Sequence, residues 1–167
     1  MQRIMIIGGP GSGKSTLARA LGVKLGLPVV HIDPMYWSSG WTQRPAAETL
    51  AQVTAAAAKP DWVFEGNHSV SYACRASRAD LIIFLDLSRP VRLGRVLRRS
   101  WRYAGKTRPD MPPDCPERLN FEFLLFTLRW NRRPALGLLR RMEGQTRTLR
   151  LTTPAQVRRF LAGPGAQ

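Results

Sequence analysis

Residues 8–15, with the sequence GGPGSGKS, decide the fold. They fit the pattern G-x-x-x-x-G-K-[ST], in which glycines let successive backbone N–H groups point inward around a phosphate group. A short apolar strand is expected at residues 3–7, and residues 14–25 follow the pattern with leucines four positions apart, as on one stripe of a helix. Because the motif requires this strand–loop–helix context, we predict a phosphate-binding loop and disfavour a chance glycine-rich turn.

The loop also predicts how a nucleoside triphosphate would bind. Lys14 would reach the β- and γ-phosphates, and the Ser15 hydroxyl would bind Mg²⁺, so ATP and Mg²⁺ are the expected cofactors. The dinucleotide pattern G-x-G-x-x-G cannot be aligned here, and no Asn is followed by Lys, as the guanine-binding pattern N-K-x-D would require. The predicted nucleotide-binding residues are Gly8, Gly9, Pro10, Gly11, Ser12, Gly13, Lys14, Ser15 and Thr16.

Strands and helices alternate along the rest of the chain. Residues 79–87, ADLIIFLDL, form the continuous apolar run of a strand that is buried on both faces of a parallel sheet. The pattern predicts an α/β fold with a mostly parallel sheet, and the length predicts a single domain, 1–167. Further strands are expected at 27–32, 61–66 and 146–151, and further helices at 45–59, 90–103, about 121–128, 135–142 and 154–162.

The positive charge is concentrated in the second half of the chain. The net charge is +15, and residues 84–167 hold eighteen Lys and Arg against six Asp and Glu, whereas residues 1–83 hold eight against five. This half is expected to meet an anion, which could be a nucleotide phosphate, nucleic acid or an acidic surface. The alternative is a compositional bias, since 22 of the 26 cationic residues are arginine.

A cluster of arginines follows the fourth expected strand. Arg92, Arg95, Arg99 and Arg102 are spaced three, four and three positions apart and therefore share one helix face. We predict a lid-like insertion at about residues 92–120, in which Arg95 and Arg99 are catalytic because their charge stabilises the transferring phosphoryl group. The alternative is a basic helix face that is simply solvated.

Acidic residues at strand ends are the candidates for orienting the metal. Glu65 ends the third strand and is expected to act on Mg²⁺ together with Ser15. Asp86, at the end of the fourth strand, is the competing candidate. We favour Glu65 because Gly66 lets the chain turn sharply there.

The segment HIDPMYWSSGW, residues 31–41, carries the predicted acceptor site. Asp33 follows the second strand, at the edge of the sheet where the phosphate loop emerges. Its carboxylate could therefore accept the proton of an attacking hydroxyl, and we expect Asp33 to be catalytic. The alternative is that Asp33 caps the turn before Pro34. His31 is expected to be structural.

Flat side chains in the same segment would surround the acceptor. Tyr36, Trp37 and Trp41 could wall a flat or sugar-like molecule, and the alternative is that they fill the core beneath the following helix. Beyond the third strand, Arg75 and Arg78 could hold a phosphate of the acceptor or could equally be surface residues. The predicted acceptor-binding residues are Asp33, Tyr36, Trp37, Asn67, Arg75 and Arg78.

Five stretches of the chain together resemble one protein family. They are similar to the adenylate kinase-like P-loop kinases known as DNA topology modulation (FlaR-type) proteins, and the match covers nearly the whole chain. The stretch at residues 105–119 is particularly distinctive of that group. The stretches are the phosphate loop, HID..YW..GW at 31–41, EGN at 65–67, ADLIIFLDL at 79–87 and GKTRPDMPPDCPERL at 105–119.

The resemblance implies the three-layer P-loop NTPase fold of the nucleoside-monophosphate kinases. In that fold a five-stranded parallel sheet has helices on both faces and a basic helical lid. For this chain the resemblance implies that ATP binds at the loop, with Lys14 and Ser15 for the nucleotide and Mg²⁺. It also places the arginines from Arg95 to Arg102 in the lid, and the base of the nucleotide against Thr152–Pro154.

The sequence departs from the family pattern at two positions. Glu65 and His68 stand where Asp and Tyr are usual, which affects the expected geometry of the metal and of the acceptor. The leading expectation is nevertheless an ATP-dependent phosphotransferase that acts on a nucleotide, a nucleoside or another small acceptor. The alternative is a nucleotide-gated, DNA-binding regulator of topology. Because no helix-turn-helix or zinc-finger pattern is present, binding to nucleic acid would be non-specific.

The remaining expectations concern the setting of the protein. No apolar run approaches the ~20 residues of a membrane span, and the N-terminal sequence does not fit a signal peptide. Cys74 and Cys115 lack metal-binding spacing and are expected to be free thiols. We expect a cytoplasmic monomer or homodimer with no membrane partner.

Overall fold

The computed structural model describes residues 2–117 and 120–163. In this part of the chain, five strands form one sheet and a separate pair of strands forms a small hairpin. None of the described helices has both the length and the apolar character needed to cross a membrane. In chain order the elements are β1 (Arg3–Gly8), α1 (Lys14–Leu25), β2 (Val29–His31), α2 (Asp33–Tyr36), β3 (Trp37–Ser38), β4 (Thr42–Gln43), α3 (Ala46–Ala57), β5 (Trp62–Glu65), α4 (Tyr72–Ala76), β6 (Leu81–Leu85), α5 (Arg89–Arg102), α6 (Phe121–Arg129), α7 (Arg133–Met142), β7 (Arg147–Leu151) and α8 (Pro154–Ala162), with 3₁₀ turns at Ser39–Trp41 and Ser69–Ser71.

The main sheet has the strand order β2-β5-β1-β6-β7, and every neighbouring pair in it is parallel. The carboxyl ends of the five strands therefore lie along one edge. We call it the loop edge, because the phosphate loop, residues 8–15, leaves β1 there. The predicted α/β fold, with a five-stranded parallel sheet and helices around it, is confirmed.

Alternating side chains of the central strands build an apolar layer on each face of the sheet. Met5 and Phe64 belong to the layer that α3, α4 and α7 cover, and Ile6 and Val63 belong to the layer that α1 and α8 cover. Strand β6 is buried along its whole length, as its continuous apolar run predicts for a strand covered on both faces. Two helical layers and the sheet make the three-layer architecture.

The segment that follows β2 forms a short helix and a hairpin. Helix α2 begins at Asp33 and has a proline in its first turn, where the missing N–H breaks no helical hydrogen bond. Strand β3 then pairs antiparallel with β4. Gly40 and Trp41 take left-handed backbone angles in the connection, with φ of 70° and 60°. We call residues 37–43 the aromatic hairpin.

Helix α5 leads into residues 103–117, which we call the lid segment. This segment has no helix and contains only isolated β-bridges. The Gly105 N–H donates to the Glu117 carbonyl at 3.1 Å, and the Glu117 N–H donates to the Lys106 carbonyl at 2.9 Å, so the chain folds back on itself. Helix α5 is the basic helix of the predicted lid. Positions 118 and 119 of the predicted insertion lie outside the described residues.

Candidate active site

The shape of the phosphate loop follows from its glycines and from one asparagine. A Cβ atom at Gly8 would lie 2.7 Å from the carbonyl oxygen of Leu85, and one at Gly11 would lie 2.3 Å from the carbonyl oxygen of Arg92. Both positions therefore require glycine, because backbone atoms leave no room for a side chain. Asn67 accepts a hydrogen bond from the Gly8 N–H at 3.2 Å and donates one to the Gly8 carbonyl. Asn67 thus braces the loop, and its contact with an acceptor stays a prediction.

Lys14 extends back across the loop. Its Nζ donates to the Gly9 carbonyl at 3.2 Å. Burial lowers the pKa of Lys14, whereas the carboxylates of Glu65 and Asp33 act in the opposite direction. Because the surroundings are only partly hydrated, the charge of Lys14 acts on a phosphate more strongly than it would in open water.

The other predicted nucleotide-binding residues lie around this lysine. The Ser12 side chain is buried, and the Ser12 N–H donates to the Gly9 carbonyl at 3.1 Å, which closes the turn. Gly13 has a left-handed φ of 91° at the start of α1. Pro10 is half-buried within the loop, and Thr16 is exposed on the first turn of the helix.

The two residues predicted to act on the metal are in contact. The Ser15 hydroxyl donates to Glu65 Oε1 at 3.0 Å, and His31 Nδ1 lies 2.6 Å from the same oxygen. Burial opposes protonation of His31, but the hydrogen bond and the charge of Glu65 raise its pKa. The structure places His31, which was expected to be structural, against the carboxylate of Glu65.

The competing acid, Asp86, is held by arginines. Its Oδ2 is 2.5 Å from Arg150 Nη2 and 3.3 Å from Arg132 Nη1. A carboxylate engaged by two guanidinium groups is less available to a cation than the Glu65 carboxylate beside the Ser15 hydroxyl. Within residues 2–117 and 120–163, no three His, Cys, Asp or Glu side chains are arranged to hold a metal by themselves.

Asp33 begins helix α2 at the loop edge, directly beyond β2. Burial raises the pKa of its carboxyl, the neighbouring Glu65 carboxylate raises it further, and Lys14 and Arg108 oppose the shift. Asp33, Glu65 and Lys14 therefore belong to one electrostatic cluster. A carboxylate whose pKa is raised toward neutrality is a stronger base than an ordinary aspartate.

The aromatic side chains after Asp33 form one cluster. The rings of Tyr36 and Trp37 meet edge to face at 5.0 Å, and those of Trp37 and Trp41 do so at 5.6 Å. Tyr36 and Trp37 are half-buried, and 37% of the Trp41 surface is exposed. Tyr36 packs against the apolar layer beneath α3, as the alternative predicts, whereas Trp41 is partly exposed. The role of the cluster as the wall of an acceptor site stays a prediction.

The arginines of helix α5 have different environments. Arg95 Nη1 donates to the Ser12 carbonyl of the phosphate loop at 3.0 Å. Arg99 donates to Glu117 Oε1 from Nε at 3.2 Å and from Nη2 at 3.0 Å. Arg92 is 3% exposed, and its guanidinium lies over the Trp130 ring. The arginines predicted to share one basic face therefore have three different roles. Arg95 contacts the phosphate loop, Arg99 is in an ion pair, and Arg92 is buried.

The lid segment adds charged residues that were not predicted as site residues. Arg108 Nε is 2.8 Å from Glu117 Oε2, and Arg108 Nη1 is 3.4 Å from Asp110 Oδ2. Burial opposes ionisation of Asp110, but Arg108 and the Ser15 hydroxyl help to lower its pKa. Arg108, Asp110 and Glu117 lie within residues 105–119, the stretch that is distinctive of the FlaR-type proteins. Which of its side chains turn inward depends on the fold-back at Glu117, which has no local sequence pattern.

The lid segment also contacts the aromatic hairpin. The Trp41 indole N–H donates to the Pro116 carbonyl at 3.2 Å, and the Gly40 N–H donates to the Asp114 carbonyl at 3.1 Å. The Ser39 hydroxyl donates to Asp114 Oδ2 at 2.9 Å. These contacts hold the lid segment next to the predicted acceptor wall.

The prediction that two arginines, Arg75 and Arg78, bind the acceptor is wrong. Arg75 is fully buried between the rings of Phe64 and Tyr72 and donates to the Gly66 carbonyl at 3.2 Å, so no surface is left for an acceptor. Burial lowers the pKa of Arg75 to about 10. Arg78 donates to the Ala58 carbonyl at 3.0 Å. It precedes β6 and therefore lies at the opposite edge of the sheet from the phosphate loop.

The expected site for the base lies at the carboxyl end of β7. The Thr153 side chain accepts from the Gln156 N–H, and Gln156 Oε1 accepts from the Thr153 N–H at 3.2 Å, which makes a capping box at the start of α8. Burial lowers the pKa of Arg95, and the charge of Arg98 and that of Arg158, which lies on α8, lower it further. The position of the base at this loop stays a prediction.

Two solved structures are similar to this chain. A shikimate kinase from Acinetobacter baumannii in complex with shikimate is 17% identical with a TM-score of 0.59, over 97% of this chain and 89% of the other. A gluconokinase from Sinorhizobium meliloti 1021 is 20% identical to this chain in sequence, with a TM-score of 0.55. The match covers 97% of this chain and 90% of the gluconokinase chain. No protein-family model matches the chain, and no curated protein matches it in sequence.

The sheet order, the phosphate loop and these two structures define the class of the fold. The chain has the fold of the small P-loop kinases. At these identities the likeness concerns the fold alone. The resemblance to the FlaR-type proteins is narrower than this class and stays a prediction.

Proposed function

We propose that this protein is an ATP-dependent phosphotransferase that acts on the hydroxyl group of a small acceptor. The observation that carries the proposal is the contact between Ser15 and Glu65 directly beside Lys14. It joins the first turn after the phosphate loop to the end of the adjacent strand, at the edge where P-loop proteins bind nucleotide phosphates. A phosphate loop that served only as a structural turn would need no buried acid at that point.

The phosphate loop would bind the triphosphate. Its backbone N–H groups and the positive end of the α1 dipole would face the β-phosphate. Lys14 would exchange its hydrogen bond with the Gly9 carbonyl for the β- and γ-phosphate oxygens. Arg95 is already in contact with the loop and would approach the same phosphates.

The residues around Ser15 fit a divalent cation that is bound together with a nucleotide. The Ser15 hydroxyl and the Glu65 carboxylate are oxygen groups of the kind that Mg²⁺ prefers. Mg²⁺ would supply positive charge to the β- and γ-phosphate oxygens there. His31, held against Glu65, would orient the carboxylate.

Asp33 would act as the general base. The acceptor oxygen forms a bond to the γ-phosphorus, the bond between that phosphorus and the bridging oxygen breaks, and ADP leaves with the bonding electrons. The proton of the acceptor hydroxyl passes to the carboxylate of Asp33. The raised pKa of Asp33 favours this transfer, while Lys14 and Arg108 favour its ionised form before the reaction.

The lid segment and the aromatic hairpin would enclose the acceptor. Arg99 and Arg108 belong to the charge cluster around Lys14 and would stabilise the negative charge of the transferring group. Tyr36, Trp37 and Trp41 would face a flat or sugar-like molecule. The acceptor class therefore remains a nucleotide, a nucleoside or another small hydroxyl compound.

The proposal is tested by a search for acceptor-dependent ADP formation. Purified protein with MgATP is offered nucleosides, nucleoside monophosphates, sugars, sugar acids and hydroxy acids, including shikimate and gluconate. We expect ADP and a phosphorylated product in equal amounts with at least one acceptor, and none with folded Lys14→Ala. Failure of the folded wild-type protein to bind ATP would contradict the proposal.

A further inference from the structure

A basic cavity of about 550 Å³ lies beside the phosphate loop. It is formed by the end of β6, the start of α5 and the turn between α6 and α7. This volume lies within the range of sites for small molecules, roughly 300–1,000 Å³. Arginines dominate the lining, and they are Arg89, Arg92, Arg129, Arg132 and Arg133.

The charge of the cavity is not balanced within residues 2–117 and 120–163. Among the described lining residues only Asp86 is acidic, and it is paired with Arg132 and with Arg150. Four of the five lining arginines have no carboxylate partner in that part of the chain. They are Arg89, Arg92, Arg129 and Arg133. Like charges at this density are stabilised when an anion binds among them.

Arg92 adds an independent observation. Its side chain is 3% exposed, and its Nη1 donates to the Thr127 carbonyl at 3.0 Å. Its Nε has no hydrogen-bond partner among the described residues, although the atom is buried. A buried N–H group of a guanidinium without a partner costs free energy. Arg92 also lines the cavity, so an anion there would lie beside a guanidinium that is incompletely paired.

The backbone contributes positive potential to the same place. Helix α5, of 14 residues, begins with Arg89, and helix α7, of 10 residues, begins with Arg133, and both residues line the cavity. Neither helix has a side-chain cap on its N-cap residue. The Arg133 N–H donates to Asn131 Oδ1 at 2.9 Å, and Pro90 and Pro134 carry no N–H, so the contribution to the cavity comes from the helix dipoles rather than from a set of free donors. Two helix N-termini that converge on one cavity favour a negative charge there.

We propose that this cavity is a second anion site that binds a small phosphorylated molecule, with its phosphate among Arg92, Arg129 and Arg133. The site differs from the predicted acceptor site, since β6 and β2 lie on opposite sides of β1 in the sheet. It also differs from the phosphate loop, none of whose residues lines the cavity, although Gly9 packs closely on the Arg92 guanidinium. The flat Trp130 ring lies next to the site and stacks on Arg92.

Binding there would act on helix α5. The Arg92 carbonyl packs directly on Gly11, and the same helix carries Arg95, which contacts Ser12. An anion that fixes Arg92 would therefore fix the helix against the phosphate loop. The proposal does not depend on the identity of the acceptor or on catalysis.

The experiment measures anion binding by titration calorimetry at fixed low ionic strength. The probes are inorganic phosphate and glycerol phosphate, and saturating ADP fills the phosphate loop. The test variant is Arg129→Ala with Arg133→Ala, because both side chains are exposed and their removal should not disturb the core. The matched control is Arg140→Ala with Arg141→Ala, which removes the same charge from the exposed far end of α7. Arg89→Ala is a second test variant on another helix.

We expect the wild-type protein and the control variant to bind phosphate equally in the presence of ADP. The Arg129/Arg133 variant should bind at least about tenfold more weakly, as expected for the loss of charged hydrogen bonds. Arg89→Ala should also bind more weakly. Equal affinity in the wild-type protein and all three variants would overturn the proposal, and so would binding that disappears when ADP is added. An equal loss of affinity in both double variants would show that phosphate binding depends only on the overall charge, and it would reject a specific site. Binding of a single-stranded oligonucleotide, but of neither phosphate probe, would assign the cavity to nucleic acid and reject a small-molecule site.

Discussion

The phosphate loop and the lid segment meet at the same end of the molecule but obtain their shapes differently. The loop owes its shape to glycines with no room for a side chain and to positive backbone angles within eight residues. The lid segment owes its shape to ion pairs around Glu117 and to contacts with a hairpin about 75 positions away in sequence.

This difference has consequences for substitution. A side-chain change in the loop should alter chemistry and leave the backbone in place, because the glycines and the Asn67 brace keep its geometry. A side-chain change in the lid segment should alter geometry, because the segment has no helix or regular sheet of its own in the described residues. The variants below test whether the two regions respond in these two ways.

Lys14→Ala should have the largest effect. It removes the cation of the phosphate loop, and we expect turnover to fall about 10³-fold, which is the scale of losing a group that stabilises charge in the transition state. The fold should persist, as measured by circular dichroism and thermal melting. Lys59→Ala, on the exposed surface after α3, is the control and should keep full turnover. An unfolded Lys14→Ala protein would contradict the view that the glycines and Asn67 hold the loop without the lysine.

Asp33→Asn should follow, with a loss of about 10²-fold in phosphoryl transfer and a nearly normal affinity for ATP. In the wild-type protein the raised pKa of Asp33 predicts that kcat/KM falls on the acid side at a higher pH than for an ordinary aspartate. The variant should lose this limb of the pH profile. A fully active variant would return Asp33 to the role of a helix-start residue.

The same shift predicts an effect on stability. The pKa of Asp33 is higher in the folded protein than in the unfolded chain, so its protonated form favours folding. The stabilising contribution is present at low pH and is lost as the pH rises through the folded-state pKa. At neutral pH the uncharged amide of the Asp33→Asn variant should therefore make the protein more stable than the wild type, as measured by urea unfolding at pH 5 and pH 8. A variant less stable at pH 8 would show that Asp33 is favourably paired.

The sequence predicted the fold and the loop because both follow from local patterns. The apolar run of β6 and the helix stripe after Lys14 depend on residues that are adjacent or one turn apart. Ser15 and Glu65 were predicted to act on the same metal, and their side chains are in contact because the ends of neighbouring parallel strands meet at one edge. These are the cases in which spacing alone determines position.

The remaining site residues could not be predicted from spacing. Arg75 was predicted to hold a phosphate of the acceptor or to lie at the surface, yet it is enclosed by two rings and backbone carbonyls. Arg108 and Asp110 reach the site only because Glu117 folds the lid segment back. The position of such side chains depends on pairs distant in sequence, which one sequence does not reveal.

Glu117→Gln tests the lid segment directly. The carboxylate pairs with Arg99 and Arg108 and accepts from the Ser100 hydroxyl at 3.1 Å, and it is buried. Loss of its charge should destabilise the protein by about 2 kcal/mol, on the scale of hydrogen bonds to charged groups. Turnover should fall about tenfold, with a smaller change in ATP affinity. Glu143→Gln, at an exposed position, is the control for urea unfolding and for kinetics. Unchanged stability and rate would mean that the ion pairs do not shape the segment.

Trp41→Phe should have the smallest effect and tests whether the lid segment and the aromatic hairpin act together. The substitution keeps an aromatic ring next to Trp37 and removes the indole N–H that donates to the Pro116 carbonyl. One neutral hydrogen bond contributes about 0.5–1.5 kcal/mol, so kcat/KM for the acceptor should fall roughly two- to tenfold. The affinity for ATP should stay the same, because the phosphate loop takes no part in this contact.

The control for this last variant is Trp101→Phe, since Trp101 is 85% exposed. It changes the same side chain at a position on helix α5 and should leave both constants unchanged. If Trp41→Phe also left kcat/KM unchanged, the hairpin and the lid segment would function independently despite their contact. If it weakened ATP binding, the hairpin would be coupled to the phosphate loop, and the two regions would not be separable in the way their contacts indicate. A loss confined to the acceptor is the result expected if the hairpin serves the acceptor and the loop serves the nucleotide.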